Sequence, residues 1–172
     1  MRRTSPEAVA PPAIRLAAAA ERPEMRRMLD AYLAELARFG DVDLDYPWFD
    51  AYWHEGEARW PYVLLDGTGQ TAGFALVNTH APSGVRVDHA LAEFYVLPER
   101  RGSGTGRAAV RALLAANPGT WELSVLQFNH RARRFWSSTL DIAEVTGLHS
   151  FEMGDVTIYR FCAPGDRPPA AQ

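Results

Sequence analysis

The chain has 172 residues, a length that fits one domain and lets about two thirds of the unfolded surface be buried. Hydrophobic residues at 47%, aromatics at 11% and charged residues at 23% are ordinary for a soluble globular protein and argue against fibres, disorder and membrane spans. A net charge of −3 repels a phosphate backbone, so neither nucleic acid nor a membrane is an expected partner.

In chain order, residues 1–12 are interrupted by Pro6, Pro11 and Pro12 and read as a disordered leader rather than a targeting segment. Ile14 to Ala19 suits a first strand. Met25, Met28, Leu29, Tyr32, Leu33, Leu36 and Phe39 then recur at helical spacing, and Gly40 closes that helix. The acidic and aromatic stretch that follows predicts a second helix from about Pro47 to Glu57. Tyr62 to Leu65 and Gly73 to Asn78 flank Asp66-Gly-Thr-Gly69, a hairpin signal, and Val87 to Leu97 reads as a third strand of the same sheet. A helix from Gly104 to Ala116, a strand from Trp121 to Gln127, a helix from Asn129 to Leu140 and a closing hairpin near Ile142 to Phe151 and Val156 to Cys162 complete the pattern. The predicted order is β-α-α-β-β-β-α-β-α-β-β, an α+β fold in a single domain over residues 13–163, with a flexible tail over 164–172.

All 18 basic residues are Arg, which excludes lysine Schiff-base chemistry and a lysine-bearing Walker loop. Cys162 is the only cysteine, so neither an intrachain disulfide nor a thiolate metal cluster can form, and a cytoplasmic location suits it. It fits a strand-core role better than a nucleophile's. The five histidines lack ligand spacing, so no metal is expected.

The segment Arg101-Gly-Ser-Gly-Thr-Gly106 stands between a strand and a helix. Residues without Cβ atoms at a helix start let several N–H groups converge on an anion, each favourable charge there gaining about 0.3–1 kcal/mol. Arg101 and Arg107 flank the turn, and a pyrophosphate suits it. A Walker loop fails because Gly106 is followed by Arg107 and Ala108. A dinucleotide fingerprint fits poorly, since the spacing is G-x-G-x-G and Glu122 stands at the wrong end of its strand. A plain sharp turn is the remaining alternative.

Arg101, Gly104 and Gly106 fill the R/Q-x-x-G-x-G/A hallmark that follows the fourth strand in the GNAT superfamily of acyl-CoA-dependent N-acyltransferases. Glu93-Phe-Tyr-Val-Leu-Pro-Glu-Arg-Arg-Gly102 resembles that superfamily's strand-to-loop entry, and Asn129-x-x-Ala132-x-x-Phe135-Trp136 resembles its following helix. The resemblance extends from Ile14 to Cys162 and implies a mixed, mostly antiparallel central sheet flanked by helices. It implies acetyl-CoA as cosubstrate, its diphosphate held by the turn through Arg101, Gly102, Ser103, Gly104, Thr105, Gly106 and Arg107. Its pantetheine would enter between splayed fourth and fifth strands. Tyr95, Val96 and Leu97 would offer an amide to the thioester carbonyl, and Asn129 would either bond the pantetheine arm or cap its helix.

Glu93 matches the position of a general base in several such enzymes, the alternative being an ordinary strand acid. Where many relatives carry a tyrosine that protonates the leaving sulfur, this chain has Trp136, and indole is no such acid. Ser137, Tyr159 or water would substitute, or the thiolate leaves unassisted. The segment between the first helices holds Asp41, Asp43, Asp45, Asp50, Glu55 and Glu57 beside Tyr46, Trp48 and Trp53, which is either a solvated acidic face or a pocket for a cationic amine. In the pocket reading Asp45, Tyr46, Trp48 and Trp53 contact the acceptor. The expected activity is N-acetyl transfer to a small cationic primary amine in a ternary complex. A CoA-binding sensor with little turnover and a protein N-acetyltransferase are the alternatives, and a homodimer through the closing strands would suit the fold.

Overall fold

The computed structural model describes residues 13–165, so the expected leader and most of the expected tail lie outside the described residues. The strands are β1 Ala13–Leu16, β2 Arg59–Leu65, β3 Thr71–Asn78, β4 His89–Val96, β5 Gly119–Leu126, β6 Thr146–Met153 and β7 Val156–Ala163. The helices are α1 Arg22–Leu36, α2 Thr105–Ala116 and α3 His130–Asp141. One sheet holds all seven strands in the order β1-β2-β3-β4-β5-β7-β6, antiparallel throughout except between β4 and β5.

Each face of the sheet buries its own core. Leu64, Val77, Leu123 and Trp121 pack under α2 and α3, whose inward stripes include Val110, Leu113, Trp136 and Leu140. Val63, Phe74 and Leu76 pack under α1 through Met25, Leu29 and Leu33. Residues of this size contribute about 1.5–3 kcal/mol each when fully buried. Pro23 in the first turn of α1 removes no amide that the helix could have paired. In the β2–β3 hairpin, Asp66 accepts from the amides of Thr68 and Gln70, and Gly69 takes the positive φ of 81°.

Two expected elements differ. The second helix is only a short 3-10 turn, Asp50–Trp53, because Tyr46 adopts a left-handed φ of 45° and Pro47 follows it, while Gly56 at φ 80° ends the segment. The closing hairpin begins at Thr146 rather than near Ile142, since Glu144 turns the chain at φ 42°.

β4 and β5 pair only through His89, Ala90 and Leu91 against Trp121, Glu122 and Leu123, and diverge beyond. This closed end of the fork is clasped. Glu122, fully buried, accepts from Arg160 at 2.7 Å and 2.9 Å and from the Ser83 amide at 2.8 Å, while the Ser83 hydroxyl bonds it at 2.9 Å. Asp88 and Thr120 exchange a second set of bonds across the same seam.

Candidate active site

The fork opens because β4 carries a bulge. Leu76 of β3 opposes Glu93 while Val77 opposes Leu91, leaving Ala92 as the extra residue. Leu91 therefore faces the α2–α3 side and Glu93, with Ala92, the α1 side. The ladder also fixes where the amides point. The Leu97 N–H bonds the Ala72 carbonyl at 2.8 Å, so by strand alternation Tyr95 also pairs toward β3, and the N–H groups of Phe94 and Val96 turn into the gap. Of the Tyr95–Leu97 segment, only Val96 offers its amide there; Tyr95 does not, and its ring is buried beneath α1 against Tyr32 and Phe74.

At the open end, the turn after β4 holds Gly102 at φ 79° and Gly104 at φ 85°. Gly104 stands at the N-cap of α2, and among the described residues no protein acceptor meets the amides from Gly102 to Arg107. A Cβ on Gly104 would find nothing within 4 Å, so the surface above these amides is open to a ligand. A Cβ on Gly106 would come within 3.3 Å of the Phe135 ring, so this glycine serves close packing on α3. The cradle therefore fits a diphosphate.

The Arg101 guanidinium is engaged elsewhere: it donates to the Val96 carbonyl at 2.7 Å and to both oxygens of Glu35 at 3.1 Å, above the Tyr95 ring. It latches the turn to β4 and α1. Ser103 and Thr105 bond each other through their hydroxyls at 2.8 Å, and Arg107, exposed, reaches Ser138 at 2.9 Å.

Between α1, the 41–46 loop and the splayed strands lies a cavity of about 350 Å³ whose lining includes Tyr32, Asp41, Asp43, Tyr46, Glu93, Phe94, Ser124, Asn129 and Trp136. Glu93 is half-buried there. Loss of solvent raises its carboxyl to about 7, and the Tyr32 and Tyr46 phenols that line the same cavity hold it down in part. Burial pushes both phenols upward, and the neighbouring carboxylate adds to this. Tyr46 keeps its left-handed backbone, which costs on the order of 1 kcal/mol. Arg26 holds that turn by donating to the carbonyls of Leu44 and Asp45 at 3.2 Å and 3.0 Å.

The remaining expected site residues divide. Asn129 lines the cavity and caps α3, accepting from the Ala132 amide at 3.1 Å, which leaves its side-chain NH₂ free to donate. Trp136 is 7% exposed and packs against Phe94 and Phe135 at the cavity wall. Ser137 and Tyr159, with hydroxyls 3.3 Å apart, lie outside the cavity lining. So do Asp45, Trp48 and Trp53: Asp45 lines a neighbouring surface groove, Trp48 is 66% exposed, and Trp53 packs edge-on against Phe49. Sequence reading missed Tyr32 as a site residue because a tyrosine on an apolar helical stripe looks like core. Its signal was the single hydroxyl among Met and Leu side chains.

A bulged fourth strand, a fork beside the parallel pair and an open amide cradle at the following helix define an acyl-CoA-dependent transferase. The model of the Acetyltransferase (GNAT) family matches residues 23–140, and the chain belongs to that family. Solved structures agree in fold. An acetyltransferase from Thermus thermophilus aligns with a TM-score of 0.64 at 16% identity, covering 90% of this chain and 98% of that one. A GNAT-family acetyltransferase from Streptococcus agalactiae aligns at 0.65 and 15% identity, covering 88% and 95%. A spermidine N-acetyltransferase from Vibrio cholerae, in complex with CoA and spermine, aligns at 0.58 and 14% identity, covering 88% and 95%. None of the curated proteins matches the sequence. The protein is an acyltransferase of a family that uses acetyl-CoA. No helix among the described residues is long and apolar enough to cross a membrane.

Proposed function

We propose that this acyltransferase moves the acetyl group of acetyl-CoA to a primary amine of a small cationic metabolite, by direct attack in a ternary complex. The observation that carries the reading is the Glu93 carboxyl, poised near 7 in a cavity that opens onto the fork. Acetyl-CoA supplies the activated acyl group. The amides from Gly102 to Arg107 hold its diphosphate, and the exposed edge of β4 at Phe94 and Val96 offers strand-like pairing to the pantetheine and a donor to the thioester carbonyl.

Asp41 and Asp43 line the same cavity as Glu93, so the field there favours the ammonium form of an acceptor. Attack needs the neutral amine, and Glu93 takes the proton that stands in the way. Once protonated, Glu93 is itself an acid stronger than an ordinary thiol, whose pKa is about 8.5. It can therefore return that proton to the leaving sulfur where Trp136 cannot, while the further proton that the attacking nitrogen sheds as the amide forms passes to solvent. The spermine bound to the Vibrio cholerae relative supports a cationic acceptor class.

The test is thiol release from acetyl-CoA over a panel of diamines, polyamines, amino sugars, basic amino-acid derivatives and N-terminal peptides. Release that depends on a small cationic amine supports the reading. Calorimetric binding of acetyl-CoA with no acceptor-dependent release, or faster turnover of the peptides, overturns it.

A further inference from the structure

The cavity beside Glu93 does not stop at the sheet. Its lining draws on both cores: Tyr32, Leu36 and Tyr46 pack on the α1 face, whereas Leu91, Leu123, Val125 and Trp136 belong to the α2–α3 face. It therefore passes through the gap between β4 and β5, and its two halves differ in chemistry. The α1 half carries Glu93, Asp41 and Asp43, while the other half is walled by buried aliphatic and aromatic side chains. We propose that the apolar half receives the acyl chain of the CoA thioester and that the Trp136 indole sets how long that chain can be. This rests on the transfer proposed above, with the diphosphate on the turn from Gly102 to Arg107.

The strands give the thioester a direction. The amide cradle stands at the open end of the fork, so an arm that enters there and runs along β4 past Val96 and Phe94 carries its acyl end toward the vertex. At the vertex Leu91 and Leu123 form the last pair between the two strands. The amine meets the carbonyl carbon from the side of the carboxylates. The alkyl chain on that carbon has no polar atom, so it gains by burial against Leu91, Leu123 and Val125 and gains nothing by turning toward Asp41 and Asp43.

Trp136 closes the flank of that apolar half as a fixed wall. Its ring stands edge-on to Phe94 with centroids 5.3 Å apart and edge-on to Phe135 at 5.2 Å, while Phe94 and Phe135 stack on each other at 5.9 Å. Phe135 is backed in turn by α2, where a Cβ on Gly106 would come within 3.3 Å of its ring. The indole cannot swing aside without displacing a second aromatic side chain, and interiors packed this closely resist such shifts. The vertex thus stops a chain at its end and the indole at its side. Trp136 has no proton for the leaving sulfur, but it has a shape.

The experiment measures calorimetric affinity for CoA and for two unreactive thioethers, S-ethyl-CoA and S-butyl-CoA, which match acetyl and butyryl in length but have no carbonyl to attack. Wild type should bind S-butyl-CoA about tenfold more weakly than S-ethyl-CoA, or weaker still. Trp136→Ala should erase or invert that preference, each methylene that gains apolar contact being worth about fourfold, with affinity for CoA itself within about threefold of wild type. Trp136→Phe should fall between the two. In turnover, the ratio of kcat/KM for butyryl-CoA to that for acetyl-CoA should rise by about tenfold or more in Trp136→Ala.

Equal affinity of wild type for the two thioethers overturns the proposal. So does a Trp136→Ala protein in which CoA and both thioethers weaken by one common factor, since the indole would then hold the pantetheine arm instead. If Trp136→Ala does not fold, Trp136→Phe decides alone, and a preference as large as that of wild type counts against the indole. Because affinity is read without an amine, the two readings fail separately. A protein that discriminates chain length but transfers to no amine loses only the function, one that acetylates amines without discriminating loses only the gauge, and one that binds no CoA loses both.

Discussion

Glu93 shows what one strand position can do when a bulge changes its face. In unbroken alternation it would share the side of Leu91, among the aromatics of α2 and α3. The extra residue at Ala92 delivers it instead to the cavity that Tyr32 and Tyr46 also line. The sign of its titration follows. Its folded-state value, about 7, is raised above the ordinary carboxyl, so its stabilising contribution is complete below the unfolded value and is lost as pH rises through 7. The difference corresponds to at most about 3 kcal/mol. Glu93→Gln should therefore be more stable than wild type at pH 8, by about 1–3 kcal/mol in chemical denaturation, and equal to it below pH 4. The same variant should lose roughly a hundredfold or more in kcat/KM at pH 8 and lose the acid limb, with CoA affinity near normal in calorimetry.

At the scale of elements, the strand–turn–helix unit from β4 to α2 is the best-formed part of the site. Its legibility in the sequence came from glycine. Gly102 and Gly104 are favoured choices at positive φ, and Gly106 keeps the Phe135 ring in close contact, so residue type marks the cradle. Gly104→Val should weaken CoA binding more than tenfold in calorimetry, through strain at φ 85° and a side chain projecting where the ligand would lie. Arg101 was legible as a residue but not as a role, because nothing in the sequence joins it to Glu35, a helix away. Arg101→Met should cost about 1–3 kcal/mol in denaturation and loosen the turn, and Glu35→Gln should reproduce part of both effects.

The loop between α1 and β2 was the least legible element. Its acids and aromatics suggested a helix, yet the left-handed Tyr46 and the carbonyls gripped by Arg26 depend on contacts that no local pattern encodes. Trp48 and Trp53, the most conspicuous residues for a cation pocket, lie outside the cavity. Asp41 and Asp43, which suited either a solvated acidic face or a cation pocket, line it. Tyr52, buried behind the loop, accepts from the Asn78 side chain at 2.9 Å.

Across the whole molecule, the sheet is two subsheets joined along a short seam. Three residue pairs connect β4 to β5, and the Glu122–Arg160–Ser83 clasp binds that seam at its closed end. The open end is left to the ligand. Arg160→Met would leave the fully buried Glu122 carboxylate without its cation, bonded only by Ser83, and should cost about 3–5 kcal/mol. If the clasp also sets the fork, CoA affinity should fall in parallel while the Gly102–Arg107 turn stays intact, a combination that denaturation and calorimetry on one variant can read together.

The most direct measurement is a crystal structure of the protein with coenzyme A. The diphosphate should lie on the amides from Gly102 to Arg107 and the pantetheine between β4 and β5, with its sulfur facing the cavity of Glu93. A diphosphate bound elsewhere, or an arm that leaves the fork empty, would contradict the assignment.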